Sequence, residues 1–297
     1  MPPTLPETYS YTRFLRAQES IDDAALHRPT LDRFRAELDR LAERSANPLR
    51  IVDVGGGIGS MCRRLFQWDV LPENVTYVVL DADPETVRIG CETVREWVRD
   101  SNRAATWESE NRLYLPDAST TVRFVADDAF RHLDARTYDV LIGHAFAGTI
   151  DLSNGLPALL DGIESGGVCY FPITFDGQTA FRPSGRADER RAILDAYHAS
   201  MSFDGGSAQF GGALLDAVAA ADAELLSAGG SDRVVSPPYD GEQKYFLHHL
   251  LHRVEQAVGD EVDDDAVRRW VGGKHRAVAE EELTYLAQNV DVLFRVD

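Results

Sequence analysis

IVDVGGGIGSM, Ile51 to Met61, decides the fold of this chain. A short apolar run carries Asp53, glycines stand at Gly55, Gly57 and Gly59, and a helical pattern opens behind them. Glycine at such a turn permits positive φ and lets a ligand touch the backbone where a Cβ would intrude. The start of the following helix offers unpaired amide groups. Spacing then separates the candidate ligands. The nicotinamide fingerprint G-x-G-x-x-G, started from Gly55 and Gly57, needs its last glycine at position 60, where Ser60 stands. The pattern present is Asp-x-Gly-x-Gly-x-Gly, with an acid two residues before the first glycine.

Working outward, short apolar runs alternate with helical stretches. Strands are predicted at Arg50–Val54, Thr76–Leu80, Val122–Ala126, Asp139–Gly143 and Val168–Thr174, and helices near Gly59–Trp68, Pro84–Arg99 and Leu156–Glu164. Strands alternating with helices of this length imply parallel βαβ units. Towards the N-terminus a helical period runs from Asp22 to about Arg44 (Leu26, Leu31, Phe34, Leu38, Leu41), with Asp22 or Asp23 as its cap. Beyond about Gly177 helices dominate, near Ala187–Ser202, Ser207–Ala220, Gly241–Val258 and Asp264–Ala277. Short strands are predicted at Glu224–Ala228, Arg233–Ser236 and Asp291–Val296. The expected organisation is an N-terminal helical cap over residues 1–45, a core over 46–176, and a C-terminal half, 177–297, that completes the sheet.

Three further segments end predicted strands in chemically useful residues. YVVLDADPETV closes its strand on Asp81, where a carboxylate offers two acceptors to a ribose diol. Asp83 followed by Pro84 reads instead as a helix cap and first turn. VRFVADDAF presents Asp127, Asp128, Ala129 and Phe130, and YDVLIGHAF ends in Gly143-His144-Ala145-Phe146.

Together these segments resemble the class I S-adenosylmethionine-dependent methyltransferases. The glycine stretch is similar to that family's motif I, and the resemblance covers roughly residues 46–176, as far as Gly166-Gly167 and the strand behind it. It implies a Rossmann-like, mostly parallel α/β sheet of about seven strands. It implies S-adenosylmethionine as cofactor, held by Asp53, Gly55, Gly57 and Gly59, with Asp81 on the adenosine ribose. Asp128 would accept from the adenine amino group, Ala129 would supply an amide and Phe130 would flank the ring, with Asp127 the competing acid. The family places residues near the transferred methyl where His144 stands. His144 reads equally as a general base and as a packing residue bonded to a loop carbonyl. The Asn/Asp-Pro-Pro-aromatic quartet of nucleobase amino-methylating enzymes is missing there, which argues for a small-molecule acceptor, in a pocket expected from the N- and C-terminal helices. Two rivals share the sheet: another transferase or a nicotinamide-dependent reductase, and a non-catalytic cofactor-binding protein.

Composition narrows the setting. Net charge is −19, and of 30 basic residues only Lys244 and Lys274 are lysine. Dispersed acids with almost no lysine suit a salt-rich cytoplasm, because at about 1 M salt the Debye length is roughly 3 Å and self-repulsion is tolerable. No basic patch is available for a phosphate backbone, so nucleic acid is not an expected partner. No apolar run approaches the roughly 18–20 residues of a membrane span, and the first residues lack the pattern of a secretory signal. Cys62, Cys91 and Cys169 are too scattered for a disulfide framework or zinc site and read as buried thiols. His248 and His252 share a helix face at i, i+4, but without the glutamate of HExxH no metal is expected. Tyr197, His198, Phe203 and Tyr239 read as core residues or pocket lining.

Overall fold

The computed structural model describes residues 5–201, 208–221, 223–258 and 262–297. In chain order the elements are α1 (Tyr11–Ala25), α2 (Arg28–Arg44), β1 (Leu49–Val54), α3 (Ser60–Gln67), β2 (Val75–Asp81) and α4 (Pro84–Asp100). Next come β3 (Thr106–Ser109), β4 (Arg112–Leu115), β5 (Thr120–Ala126), α5 (Ala129–Asp134), β6 (Tyr138–Ile142) and α6 (Leu152–Leu160). The chain finishes with β7 (Ile163–Arg182), α7 (Ala187–Met201), α8 (Phe210–Ala220), β8 (Glu224–Gly230), β9 (Arg233–Val235), α9 (Gly241–Val258), α10 (Asp264–Ala279) and β10 (Thr284–Arg295).

The sheet runs β3-β4-β5-β2-β1-β6-β7-β10-β8, with β9 paired to β10. The central pairs β5–β2, β2–β1, β1–β6 and β6–β7 are parallel. β3 and β4 form an antiparallel hairpin on the edge of β5. The Gly166 amide donates to the Val296 carbonyl and the Val296 amide to Gly167, so the start of β7 faces the end of β10 and the two run antiparallel. Strand order reverses beside β1, which has β2 on one side and β6 on the other. Ligands in open α/β sheets bind outside the strand carboxyl ends at such a point. Register aligns those ends: Asp53 lies opposite Val79 and Ile142, and Asp81 opposite Ala126.

Two compact units divide the chain. The sheet unit covers His27–Thr174, Gly211–Gly229 and Val290–Asp297. Its β1 is buried on both faces, as a central parallel strand must be. α4 buries a stripe of Val87, Gly90, Cys91, Val94 and Val98 at helical spacing. One apolar cluster joins Val52, Val54, Val78 and Leu80 to Leu156, Leu159, Phe171, Val292 and Phe294. The helical unit lies within Met1–Leu26, Phe175–Phe210 and Gly230–Asn289. α9 is its centre, packed on by α1, α7 and α10, and is accordingly buried nearly all round, from Tyr245 to Leu251. The division falls inside β7 and inside β10.

The two units group the elements differently from the expected tripartite organisation: α2 and α8 fall with the sheet, and α1 with α9. The reason begins at Pro29. The helix predicted from Asp22 to Arg44 is two helices, because proline cannot continue one from upstream but suits the first turn of the next. Ser10 caps α1, and neither Asp22 nor Asp23 is a cap. Asp22 is buried instead, paired with Arg233 at 2.6 Å. α6 begins four residues before its expected start, at Leu152. The Asp151 side chain caps it by accepting from the Ser153 amide, and Glu164 falls in β7. The hairpin β3–β4 and the first half of β10 are additional to the predicted strands. The predicted helix ends at Ser202 and Ser207 lie outside the described residues, as does Phe203.

Candidate functional site

Gly55 to Gly59 form the turn between β1 and α3, with φ of +63° at Gly55, +55° at Gly57 and +74° at Gly59. Such angles are sterically poor for any residue with a Cβ. Contacts reinforce the requirement at Gly55, where an added Cβ would come within 2.6 Å of the Phe146 ring. The loop is tied to its neighbours. Gly56 donates to the Leu80 carbonyl, and the Gly57 amide donates to Asp81 Oδ2 at 3.0 Å. Asp81 Oδ1 accepts from the Asp83 amide, also at 3.0 Å. Asp83 caps α4 through the Glu85 and Thr86 amides.

Asp53 is placed differently from the other acids. It is 0% exposed, its Oδ2 accepts from the Tyr77 hydroxyl at 3.0 Å, and its Oδ1 has no partner among the described residues. Burial pushes its pKa from 3.8 up to about 7; the Tyr77 bond and Arg64 oppose the rise, and the Asp81 charge adds to it. Asp53 therefore sits beneath the glycine loop, with no surface of its own to offer a ligand.

After β5, Asp128 is exposed and caps α5 by accepting from the Arg131 amide. Asp127 accepts from the Arg131 guanidinium at 2.7 Å and from the Asp128 amide, and it faces His132 at 3.4 Å. The Arg131 bond holds the Asp127 carboxyl below its usual range. Ala129 opens the helix beside them, while Phe130 leans on α6 at Gly155. After β6, His144 is half-buried, with its Nε2 atom enclosed by protein. Its neighbour Ala145 has φ +51° and donates to the Pro172 carbonyl.

Two features were not foreseen. Gly90, inside α4, lets that helix press against the loop: a Cβ there would lie 3.1 Å from the Gly57 carbonyl oxygen. A glycine inside a helix costs about 1 kcal/mol against alanine, which is itself a signal of close approach. Ile173 in β7 has φ +55°, a rare angle for a β-branched residue. Asp291 holds it there. Fully buried in β10, Asp291 accepts from the Ile173 amide at 2.9 Å, the Tyr170 hydroxyl at 2.9 Å and the His27 amide at 3.0 Å. Ile173 lies beside the Ala145 turn, whose amide bonds the Pro172 carbonyl.

The histidines at 248 and 252 do not converge. His248 Nδ1 pairs with His275 Nδ1 at 2.8 Å, and His252 stacks on Tyr9. No metal-binding group of three or more His, Cys, Asp or Glu exists among the described residues. Tyr197 and Tyr239 belong to the apolar core of the helical unit, and His198 bonds Thr179. All three cysteines are buried and free. No described helix is long and apolar enough to cross a membrane.

No protein-family model matches this sequence, and no curated protein does. Among solved structures, the chain is similar to an S-adenosylmethionine-dependent methyltransferase from Thiobacillus denitrificans in complex with S-adenosylhomocysteine. Identity is 12%, the TM-score is 0.43, and coverage is 94% of this chain and 97% of that one. It is also similar to a counterpart from Geobacter sulfurreducens, likewise in complex with S-adenosylhomocysteine, at 14% identity and a TM-score of 0.41, covering 88% and 91% of the two chains.

Proposed function

We propose that this chain is an S-adenosylmethionine-dependent methyltransferase acting on a small-molecule acceptor. One observation carries the reading: the Gly57 amide is seated on the Asp81 carboxylate, joining the glycine loop to the acid of the second strand where the strand order reverses. The residues present fit this cofactor. Its ribose diol requires acceptors, and Asp81 provides two carboxylate oxygens now occupied by backbone amides. Its sulfonium is a cation, and Asp81, Asp127 and Asp128 make this edge acidic. The same acids oppose a dinucleotide's pyrophosphate. The antiparallel β10, lying between β7 and β8, also departs from the six-stranded dinucleotide-binding order.

When bound, the cofactor supplies a methyl group on a positively charged sulfur, open to in-line displacement. The chain's own contribution is placement, for which effective molarities can reach about 10⁵–10⁸ M. Gly55, Gly57 and Gly59 admit the donor against the backbone, and Asp81 holds its ribose. Asp128 and the Ala129 amide border the adenine. Asp53 acts from below as a positioning residue, fixing β1 to Tyr77 under the loop. Where the acceptor is a hydroxyl, His144 serves as the base. The net charge of −19 disfavours a nucleic-acid acceptor and suits a salt-rich cytoplasm.

The test is calorimetric titration in high salt with S-adenosylmethionine, S-adenosylhomocysteine, decarboxylated S-adenosylmethionine and NAD(H). Saturable binding of the first two in preference to the others is expected. Preference for NAD(H), or for the decarboxylated donor, overturns the reading. With an acceptor in hand, His144→Ala is expected to lower turnover by about 10²–10⁴-fold while cofactor affinity holds.

A further inference from the structure

The helical unit contains a cavity of about 410 Å³ whose wall carries Pro183, Arg186, Glu189, Arg269, Trp270 and Lys274. It is built from the segment after β7 together with α7 and α10. Its size falls in the range of small-molecule sites. Its charge is opposite to that of the molecule. Three cations, Arg186, Arg269 and Lys274, share one carboxylate, in a chain of net charge −19.

We propose that this cavity binds a small organic anion through Lys274, Trp270 and the two arginines. Glu189 reaches Arg269 at 3.1 Å and Arg186 at 3.7 Å. Each guanidinium has five N–H donors, so one carboxylate leaves most of them facing solvent and open to a ligand. Lys274 is one of only two lysines in the chain and is 5% exposed. Its ammonium donates to the Pro183 carbonyl and forms no ion pair with a carboxylate among the described residues. An ammonium buried without a counter-ion is costly. Burial, with Arg182 and Arg190 nearby, pushes its pKa down, the effect a bound anion would reverse.

Trp270 supplies an aromatic wall. The residue is 5% exposed, and its indole Nε1 is buried with no acceptor among the described residues. A Cβ added at Gly185, on the cavity wall, would lie 3.8 Å from Trp270 Cδ1, the carbon bonded to Nε1. The indole therefore offers the cavity its carbon edge and face, Nε1 being enclosed by protein. Apart from Glu189, every charged or N–H-bearing side chain on the wall is a donor. Pro183, Ala277 and the indole face suit an apolar body attached to the anionic group.

Calorimetry on the full chain in KCl tests this with benzoate, phenyl phosphate and the neutral isostere benzamide. Benzoate or phenyl phosphate is expected to bind saturably and at least about tenfold more tightly than benzamide. Which of the two binds better assigns the ligand as a carboxylate or a phosphate. Lys274→Gln and Arg186→Gln should each weaken binding of the preferred anion about tenfold or more. Because Arg186 is mostly exposed, its variant guards against a folding defect at Lys274. Benzamide binding as tightly as the anions overturns the proposal. So does unchanged affinity in the folded variants, or no binding of either anion up to about 10 mM. Any of these failures leaves the methyl-donor reading untouched.

Discussion

Replacing Asp53 by asparagine should make the protein more stable relative to wild type as the pH rises. The carboxyl is fully buried and its pKa is about 7 in the folded chain against 3.8 for the free group. A raised folded pKa means that the folded state holds the proton more tightly than the unfolded one. The associated stability is complete below about pH 4 and is lost as pH climbs through 7. Three units at 1.36 kcal/mol each make the full term about 4 kcal/mol. At pH 5.5, chosen to stay clear of the pI of 4.8, about 2 kcal/mol of it remains, and at pH 8.5 almost none. Asparagine is close in shape, keeps an oxygen for the Tyr77 hydroxyl and does not titrate. Urea unfolding of both proteins at pH 5.5 and 8.5, at one KCl concentration, isolates the Asp53 contribution. The Asp53→Asn variant should gain about 2 kcal/mol on wild type between the two values. Parallel profiles, agreeing within about 0.5 kcal/mol, would refute the claim that burial governs this carboxyl.

Asp81→Ala should weaken S-adenosylmethionine binding by about 1.5–3 kcal/mol, the worth of charge-assisted bonds to the ribose; unchanged calorimetric affinity in a folded variant removes Asp81 from the site. Gly57→Val should abolish cofactor binding while leaving the far-ultraviolet circular dichroism largely intact, since a β-branched residue opposes φ +55°; near-normal affinity would show that the loop is only a turn. Asp22→Ala should cost about 3–5 kcal/mol in urea unfolding, because it leaves the Arg233 guanidinium buried without its partner, and a loss below about 1 kcal/mol would place that pair among ordinary surface bridges. The thermal midpoint should climb as KCl rises from about 0.1 M to several molar, through screening of acidic self-repulsion; a flat or falling midpoint rejects salt adaptation.

The parts of the fold that were legible in sequence are those written locally. The glycine turn announces itself because a tight βα turn needs positive φ at closely spaced residues, and Asp83-Pro84 marks the start of α4 by its own chemistry. Asp81 could be placed because it ends an apolar run. The hairpin β3–β4 could not, since Thr106–Ser109 buries almost nothing and shows no alternation. The expected start of α6 falls four residues late, since its cap lies at Asp151 and Pro157 stands inside the helix. Asp291 illustrates the deeper limit. Nothing near it in sequence hints that one acid in an apolar strand serves Tyr170, Ile173 and His27, the last of them 264 positions away. The cavity in the helical unit is assembled in the same way, from the segment after β7 together with α7 and α10, so its donors carry no common motif.

The interleaving of the two units bears on how the chain is made. α1 buries Phe14, Ala17 and Ile21 in a cluster that also draws on Phe246, Leu250 and Val254 of α9. The ribosome delivers α9 only after more than 200 further residues have been added. At roughly 5–20 residues per second, α1 waits about 10–40 s for its partner. Throughout that interval its apolar stripe is a sticky flank on a growing polypeptide, while His27–Thr174 is free to collapse around β1. Chaperone demand during synthesis should therefore fall on α1, and a change that makes α1 more hydrophobic would tax production of the protein before it altered the finished molecule.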